Sequence, residues 1–351
     1  MAVAWTVKRI FERIRNTPTS TAAARTIKLA PARSQGGLIM LLPALVFIAG
    51  LLLLYFGAEW LVAGSSRLAL GFGVRPLVIG MTVVAFATSM PEMLVSLAAA
   101  FRDSADLAAG NIVGSNIANI GLILGCAALL HPLAVTSATL KRELPFLLGI
   151  SLFFGLLCFD GTLGAVDGLV QLLLLAGFLG YCLRDTRRQR RIETCGEVRD
   201  ELAASRGRDL VLVVVGIVGL AIGAEMMVRS AVIMARQFGI SELVIGISVV
   251  AVGTSLPELA ASVVSAWKGE MEISIGNVIG SNIFNLLFVL GLCPVIRPLA
   301  IDPELVRVQL PIMLGFTLLL WGLSLGGRIG RRKGVLLLVC YALFISFLFW
   351  S

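Results

Sequence analysis

Apolar runs of roughly 20 residues, the length that carries a helix across a bilayer, recur along nearly the whole chain. They predict spans over 38–65, 74–101, 106–130, 143–160 and 163–183, and, after a charged stretch, over 209–235, 242–267, 272–297, 304–325 and 334–350. The pattern reads as an all-α polytopic membrane protein with ten transmembrane helices and no sizeable soluble domain. Two spans carry the same polar interruption: Ala85-Phe86-Ala87-Thr88-Ser89-Met90-Pro91-Glu92 and Ala251-Val252-Gly253-Thr254-Ser255-Leu256-Pro257-Glu258. A proline inside a helix has no N–H to donate and clashes with the carbonyl four residues back, so Pro91 frees the carbonyl of Ala87 and strains that of Thr88. Broken backbone at membrane depth is tolerated where it is buried in protein or lines a polar cavity. A cation held there would satisfy both carbonyl and carboxylate.

The interruption belongs to a longer duplication. An offset of 166 residues relates Glu92 to Glu258, Glu59 to Glu225, Pro91 to Pro257, Ser115 to Ser281 and Asn119 to Asn285, and from Gly57 to Gly125 about 29 of 69 positions are identical without a gap. Shared hydrophobicity alone does not produce that many identities. If each copy holds five spans, an odd number, the second enters the membrane with opposite orientation, and two inverted five-helix repeats place equivalent half-sites about a pseudo-two-fold axis near the midplane. The expected organisation is a basic tail over 1–37, a first repeat over 38–183, a cytoplasmic charged linker over 184–208 and a second repeat over 209–351.

Composition agrees: 58% of residues are hydrophobic, 14% are charged and the mean hydropathy is +0.95. Arginines of the linker and of the loops on its side outnumber those opposite, which predicts a cytoplasmic linker in a multi-pass cell (inner) membrane protein with both termini outside. The tail, with Lys8, Arg9, Arg13, Arg15, Arg25, Lys28 and Arg33, opposes that orientation and is outweighed by the five-loop pattern. It reads as a tail, or as an upstream start with the working chain beginning near Met40; a surface-lying amphipathic helix and a targeting segment are the other readings.

A second motif completes each half-site: Gly110-Asn111-Ile112-Val113-Gly114-Ser115-Asn116-Ile117-Ala118-Asn119 matches Gly276-Asn277-Val278-Ile279-Gly280-Ser281-Asn282-Ile283-Phe284-Asn285. Ser115 and Asn119 share a helical face, as do Thr88 and Glu92, with Ser89 one turn from Glu92. The glycines suit close helix packing. Two carboxylates with hydroxyls, amides and carbonyls form an all-oxygen set suited to hard cations, Ca2+ above all. Buried together, the carboxylates repel unless protonated or cation-bound; one Ca2+ balances them, and monovalent ions must enter in plural to do the same. One histidine, His131, and six scattered cysteines without a CxxC give no zinc or iron site and no disulfide framework. Glu59 and Glu225 lie toward span ends, with Arg67 two turns after the first and Arg229 one turn after the second, and read as ion-paired or interfacial. His131 reads as an interface residue and Asp160 and Asp167 as solvated turn residues.

These paired motifs resemble the two alpha repeats of the Ca2+/cation antiporter superfamily, most nearly the prokaryotic Na+/Ca2+ exchangers, strongly over the repeats and in layout elsewhere. The resemblance implies Ca2+ binding by Glu92 and Glu258 with the backbone carbonyls of Thr88 and Thr254. It implies Na+ binding by the same glutamates with Ser89, Ser115, Ser255, Ser281 and the carbonyls of Ala85 and Ala251, and it makes Asn119 and Asn285 site-lining. Ala87 replaces the glycine usual before Thr-Ser. Asn285 stands where K+-dependent relatives have aspartate, which removes a negative charge and argues against a K+ requirement. The expectation is a secondary antiporter exchanging Na+ for Ca2+, with H+/Ca2+ exchange on the same glutamates as the alternative. A channel fits an inverted repeat less well, and no nucleophile and base pair, metalloprotease motif or nucleotide loop supports an enzyme. The partners expected are Ca2+, Na+ and the lipid bilayer, with no cofactor, nucleic acid or obligate protein partner.

Overall fold

Proline and glycine positions account for much of how the apolar runs are divided. The computed structural model describes residues 36–101, 105–190, 206–238 and 251–350, so most of the basic tail, most of the linker and the start of the seventh expected span lie outside the described residues. Residues Leu42–Ser351 form one compact unit; of the unit before it, only the start of the first helix is described.

The chain runs through α1 (Gly36–Phe72), α2 (Pro76–Thr88), α3 (Met90–Phe101), α4 (Ala105–Ala118), α5 (Leu124–Leu130), a short strand β1 (Leu133–Ala134), α6 (Leu144–Leu157), β2 (Thr162–Leu163) and α7 (Ala165–Arg190). It continues with α8 (Arg206–Gln237), α9 (Ala251–Thr254), α10 (Leu256–Trp267), α11 (Met271–Phe284), α12 (Leu290–Ile296), β3 (Leu299–Ala300), α13 (Leu310–Ser324), β4 (Arg328–Ile329) and α14 (Arg331–Trp350). Among the described residues seven helical segments are long and apolar enough to cross a membrane, and the bent pair α2 and α3 makes an eighth. The protein is a multi-pass membrane protein. Helix α7 reaches Arg190 and α8 begins at Arg206, so helix enters both ends of the stretch read as linker.

The duplication governs the whole fold. Shifted by 166 residues, the bounds of α3, α4, α5, β1 and β2 become those of α10, α11, α12, β3 and β4, and α7 starts where α14 starts. Wider π-helical turns repeat as well, at Asn119–Ile123 with Asn285–Val289 and at Thr139–Glu143 with Leu305–Gln309. The second pair has a visible cause. Pro145 and Pro311 have no N–H for the usual i to i−4 bond, and the residues before them, Leu144 and Leu310, donate five residues back to Thr139 and Leu305.

Contacts between the halves are exchanged in the same way. Strand β1 pairs antiparallel with β4 through Leu133 and Ile329, and β2 pairs with β3 through Leu163 and Leu299. Helix α5 packs on α14 and its counterpart α12 on α7. Helices α1 and α8 meet backbone to backbone: a Cβ on Gly57 would lie 2.7 Å from the Leu220 nitrogen, and one on Gly216 would lie 2.5 Å from that of Leu61. The expected close packing at Gly276 and Gly280 is present, with a Cβ there reaching 2.5 Å from the Leu77 carbonyl and 2.4 Å from that of Met81 on α2.

Charges near the helix ends take their own partners. Glu225 pairs with Arg229 as the spacing predicts. Glu59 is also ion-paired, but with Lys268 at 2.8 Å, while Arg67 reaches buried Asp209 at 2.7 Å. His131 is exposed, and Asp160 and Asp167 accept backbone N–H groups from Thr162 and Gly164 at the turn they bracket.

Candidate functional site

Two helix breaks face each other in the protein interior. Between α2 and α3 the helical path is interrupted at Ser89, whose φ of −79° and ψ of 4° turn the axes 45° apart. Ser255, with φ −88° and ψ 6°, makes the same break between α9 and α10. Pro91 and Pro257 fall in the first turn of the helix that follows, where a missing N–H costs least. The break leaves Glu92 and Glu258 in the first turns of α3 and α10, each only 1% exposed. A carboxylate is favoured at a helix N-terminus, and the carbonyl end of the preceding half-helix presents the partial negative charge that suits a cation.

The glutamates are bound across the duplication, not within one copy. Ser89 Oγ donates to Glu258 Oε1 at 3.2 Å, and Ser255 Oγ donates to Glu92 Oε1 at 3.1 Å. The two carboxylates lie within electrostatic reach of each other. The second oxygen of each, Oε2, is buried and accepts no hydrogen bond. Two carboxylates with an unused oxygen apiece in a buried space make a site for positive charge, since an unsatisfied buried acceptor is costly and an unpaired buried charge more so. No three His, Cys, Asp or Glu side chains form a metal-holding group among the described residues.

Helix α11 brings neutral oxygens against Thr88. Thr88 Oγ1 lies 3.2 Å from Asn277 Oδ1 and 3.5 Å from Ser281 Oγ, and it also donates to the Ala85 carbonyl at 3.3 Å. Ser115 is buried, as are Asn119 and Asn285 at the start of their π-helical turns. Asn119 Nδ2 donates to Asn282 Oδ1 at 2.9 Å, and Asn285 Nδ2 donates to Asn116 Oδ1 at 3.0 Å. Of the ion-binding and site-lining residues expected from the sequence, all but Ala251 have described side chains, and those described are buried. Ala251 opens α9.

Sequence reasoning missed a supporting layer. Asn111 Nδ2 binds Ser96 Oγ at 3.0 Å and faces the Glu92 carbonyl at 3.5 Å; Asn277 Nδ2 binds Ser262 Oγ at 2.9 Å and faces the Glu258 carbonyl at 3.3 Å. The signal was available: Ser96 and Ser262 lie one turn after each glutamate, and the two asparagines repeat at the same offset inside apolar helices.

The sodium/calcium exchanger protein family matches the chain twice, over residues 42–184 and again over 209–350. The chain belongs to that family. It is 41% identical over 320 residues to the inner membrane protein YrbG of Escherichia coli, covering 89% of this chain and 98% of that one. It is 34% identical to the sodium/calcium exchanger MaX1 of Methanosarcina acetivorans, covering 87% and 98%. Among solved structures, the sodium-calcium exchanger NCX_Mj superposes with a TM-score of 0.77 at 34% identity, covering 87% of this chain and 98% of that one. The double match of one family to the two halves accords with the 166-residue offset.

Proposed function

We propose that this protein is a secondary antiporter that exchanges Na+ for Ca2+ by alternating access, at one site shared by a first repeat (38–183) and a second (209–351). The observation that carries the reading is the reciprocal pair of bonds from Ser89 to Glu258 and from Ser255 to Glu92. Each half supplies a carboxylate held by a hydroxyl of the other, so relative motion of the halves changes the site as a unit. Glu92, Glu258 and the carbonyls of Thr88 and Thr254 would hold Ca2+; the same glutamates with Ser89, Ser115, Ser255, Ser281, Ala85 and Ala251 would hold Na+, with Asn119 and Asn285 lining the site. Two negative charges balance one Ca2+ or two Na+, and a third Na+ would make exchange sensitive to voltage.

Neutral hydroxyl and amide oxygens suit Na+ and would be largely idle in a pure proton exchanger. The NCX_Mj structures describe a sodium-calcium exchanger, which supports the same preference. Sealed vesicles reconstituted with the purified protein should take up Ca2+ when Na+ is directed outward, without K+, and protons should inhibit by competing for the two carboxylates. Equal uptake driven by a proton gradient in Na+-free buffer would put H+/Ca2+ exchange in its place.

The reading also places ten spans in the bilayer as inverted repeats with the arginine-rich linker in the cytoplasm. A thiol introduced as Ala203→Cys in a Cys195→Ser background should resist a membrane-impermeant reagent in intact cells and react after lysis. Labelling before lysis would reverse the orientation.

A further inference from the structure

We propose that Asn116 and Asn282 are positioning residues that turn the amides of Asn285 and Asn119 so that oxygen, not N–H, is presented to the transported cation. The role rests on the exchange reading above. An asparagine side chain has two unlike ends, a carbonyl that attracts a cation and an NH2 that repels it. Which end faces the ion is settled by whatever the other end binds. Here the NH2 of Asn285 is committed to Asn116 Oδ1 at 3.0 Å and that of Asn119 to Asn282 Oδ1 at 2.9 Å. All four side chains are at most 1% exposed.

Asn116 is itself held the right way round. Its Nδ2 faces the backbone carbonyl of Asn282 at 3.4 Å and the Met313 sulfur at 3.8 Å, which leaves Oδ1 as the end available to Asn285. The consequence is visible at the far ends of the two oriented amides: Asn119 Oδ1 and Asn285 Oδ1 are buried and accept no hydrogen bond. A tie that served only to join the two halves would leave both ends of each amide satisfied, as is usual for buried polar groups. The π-helical turns that begin at Asn119 and Asn285 pack against α10 and α3, the helices that carry Glu258 and Glu92, each of which also has an unused carboxylate oxygen. The arrangement is exchanged across the duplication like the serine to glutamate bonds. It also requires an amide at 285, because a carboxylate there has no N–H to give Asn116.

That last point supplies the test. A carboxylate has two equivalent oxygens and no wrong end, so the need for Asn116 should vanish when Asn285 is replaced by aspartate. Na+-driven Ca2+ uptake is measured in vesicles for wild type, Asn116→Ala, Asn285→Asp and the double variant. Asn116→Ala should raise the half-saturating Ca2+ concentration roughly tenfold in the wild-type background, the size expected for one charge-directed hydrogen-bonding group. In the Asn285→Asp background the same substitution should shift it by less than about twofold. An equal loss in both backgrounds, or no loss in the first, would overturn the proposal, since a merely structural role is indifferent to the residue at 285. Asn282→Ala against Asn119→Asp repeats the comparison in the other half if Asn116→Ala folds poorly. Should the wild-type protein itself show no Na+-driven uptake, it is the exchange reading that fails. Direct Ca2+ binding to the same purified variants then decides the role of Asn116.

Discussion

Replacing either Glu92 or Glu258 by Gln is expected to reduce Na+-driven Ca2+ uptake to background, and replacing both should do no further harm. Glutamine keeps the size and the acceptor oxygen that Ser255 or Ser89 binds, so packing in the core should survive. What is lost is half of the charge that balances Ca2+. Removing one of two charges from a buried, shared ion site costs several kcal/mol in comparable buried pairs, on the order of 3–5 kcal/mol, enough to lower affinity by more than a hundredfold. The cross-bonding of the two halves makes the effect equal from either side. Near-normal transport by either purified variant, with an unchanged thermal unfolding profile, would remove that glutamate from the site.

Gly280→Ala should be nearly as damaging, through the backbone and not through charge. A Cβ at 280 would stand 2.4 Å from the Met81 carbonyl, 2.6 Å from the Met81 Cα and 2.7 Å from the Ala85 Cβ. Two of those three atoms are main chain and cannot turn aside, so α2 must move away from α11. Overpacking of this kind costs about 1–3 kcal/mol. The displaced segment carries Thr88, whose hydroxyl lies against Asn277 and Ser281 of α11, so the site is spread as the helices part. Ca2+ transport should fall at least tenfold and the unfolding temperature should drop. Wild-type transport with a lowered unfolding temperature would separate packing at Gly280 from the ion site.

The break at Ser89 was legible because proline chemistry is local: Pro91 cannot continue the hydrogen-bond ladder whatever surrounds it. The duplication was legible because identities at one offset accumulate along the chain, and the structure extends that offset from the stretch ending at Gly125 to β2, β4 and the start of α14. Spacing along a helix also foretold the pair Glu225 and Arg229. It gave ion pairing for Glu59 but not the partner: Lys268, like the Asp209 that Arg67 meets, comes from another helix, and partner choice across helices depends on how they cross. Asn116 and Asn282 were in plain view within the repeated motif, yet their bonds to Asn285 and Asn119 join opposite halves. A one-dimensional pattern shows that such residues recur but not which recurrence meets which. The reciprocal strand pairs β1 with β4 and β2 with β3 were hidden for the same reason, each being only two residues long.

Both halves are expected to build one cation site for which Na+ and Ca2+ compete. Equilibrium Ca2+ binding to the purified wild-type protein, counted per chain and titrated with Na+, tests this most directly. One Ca2+ per chain, displaced completely by Na+ with a dependence steeper than first order, is the result expected. Two independent Ca2+ ions per chain, or binding indifferent to Na+, would contradict it.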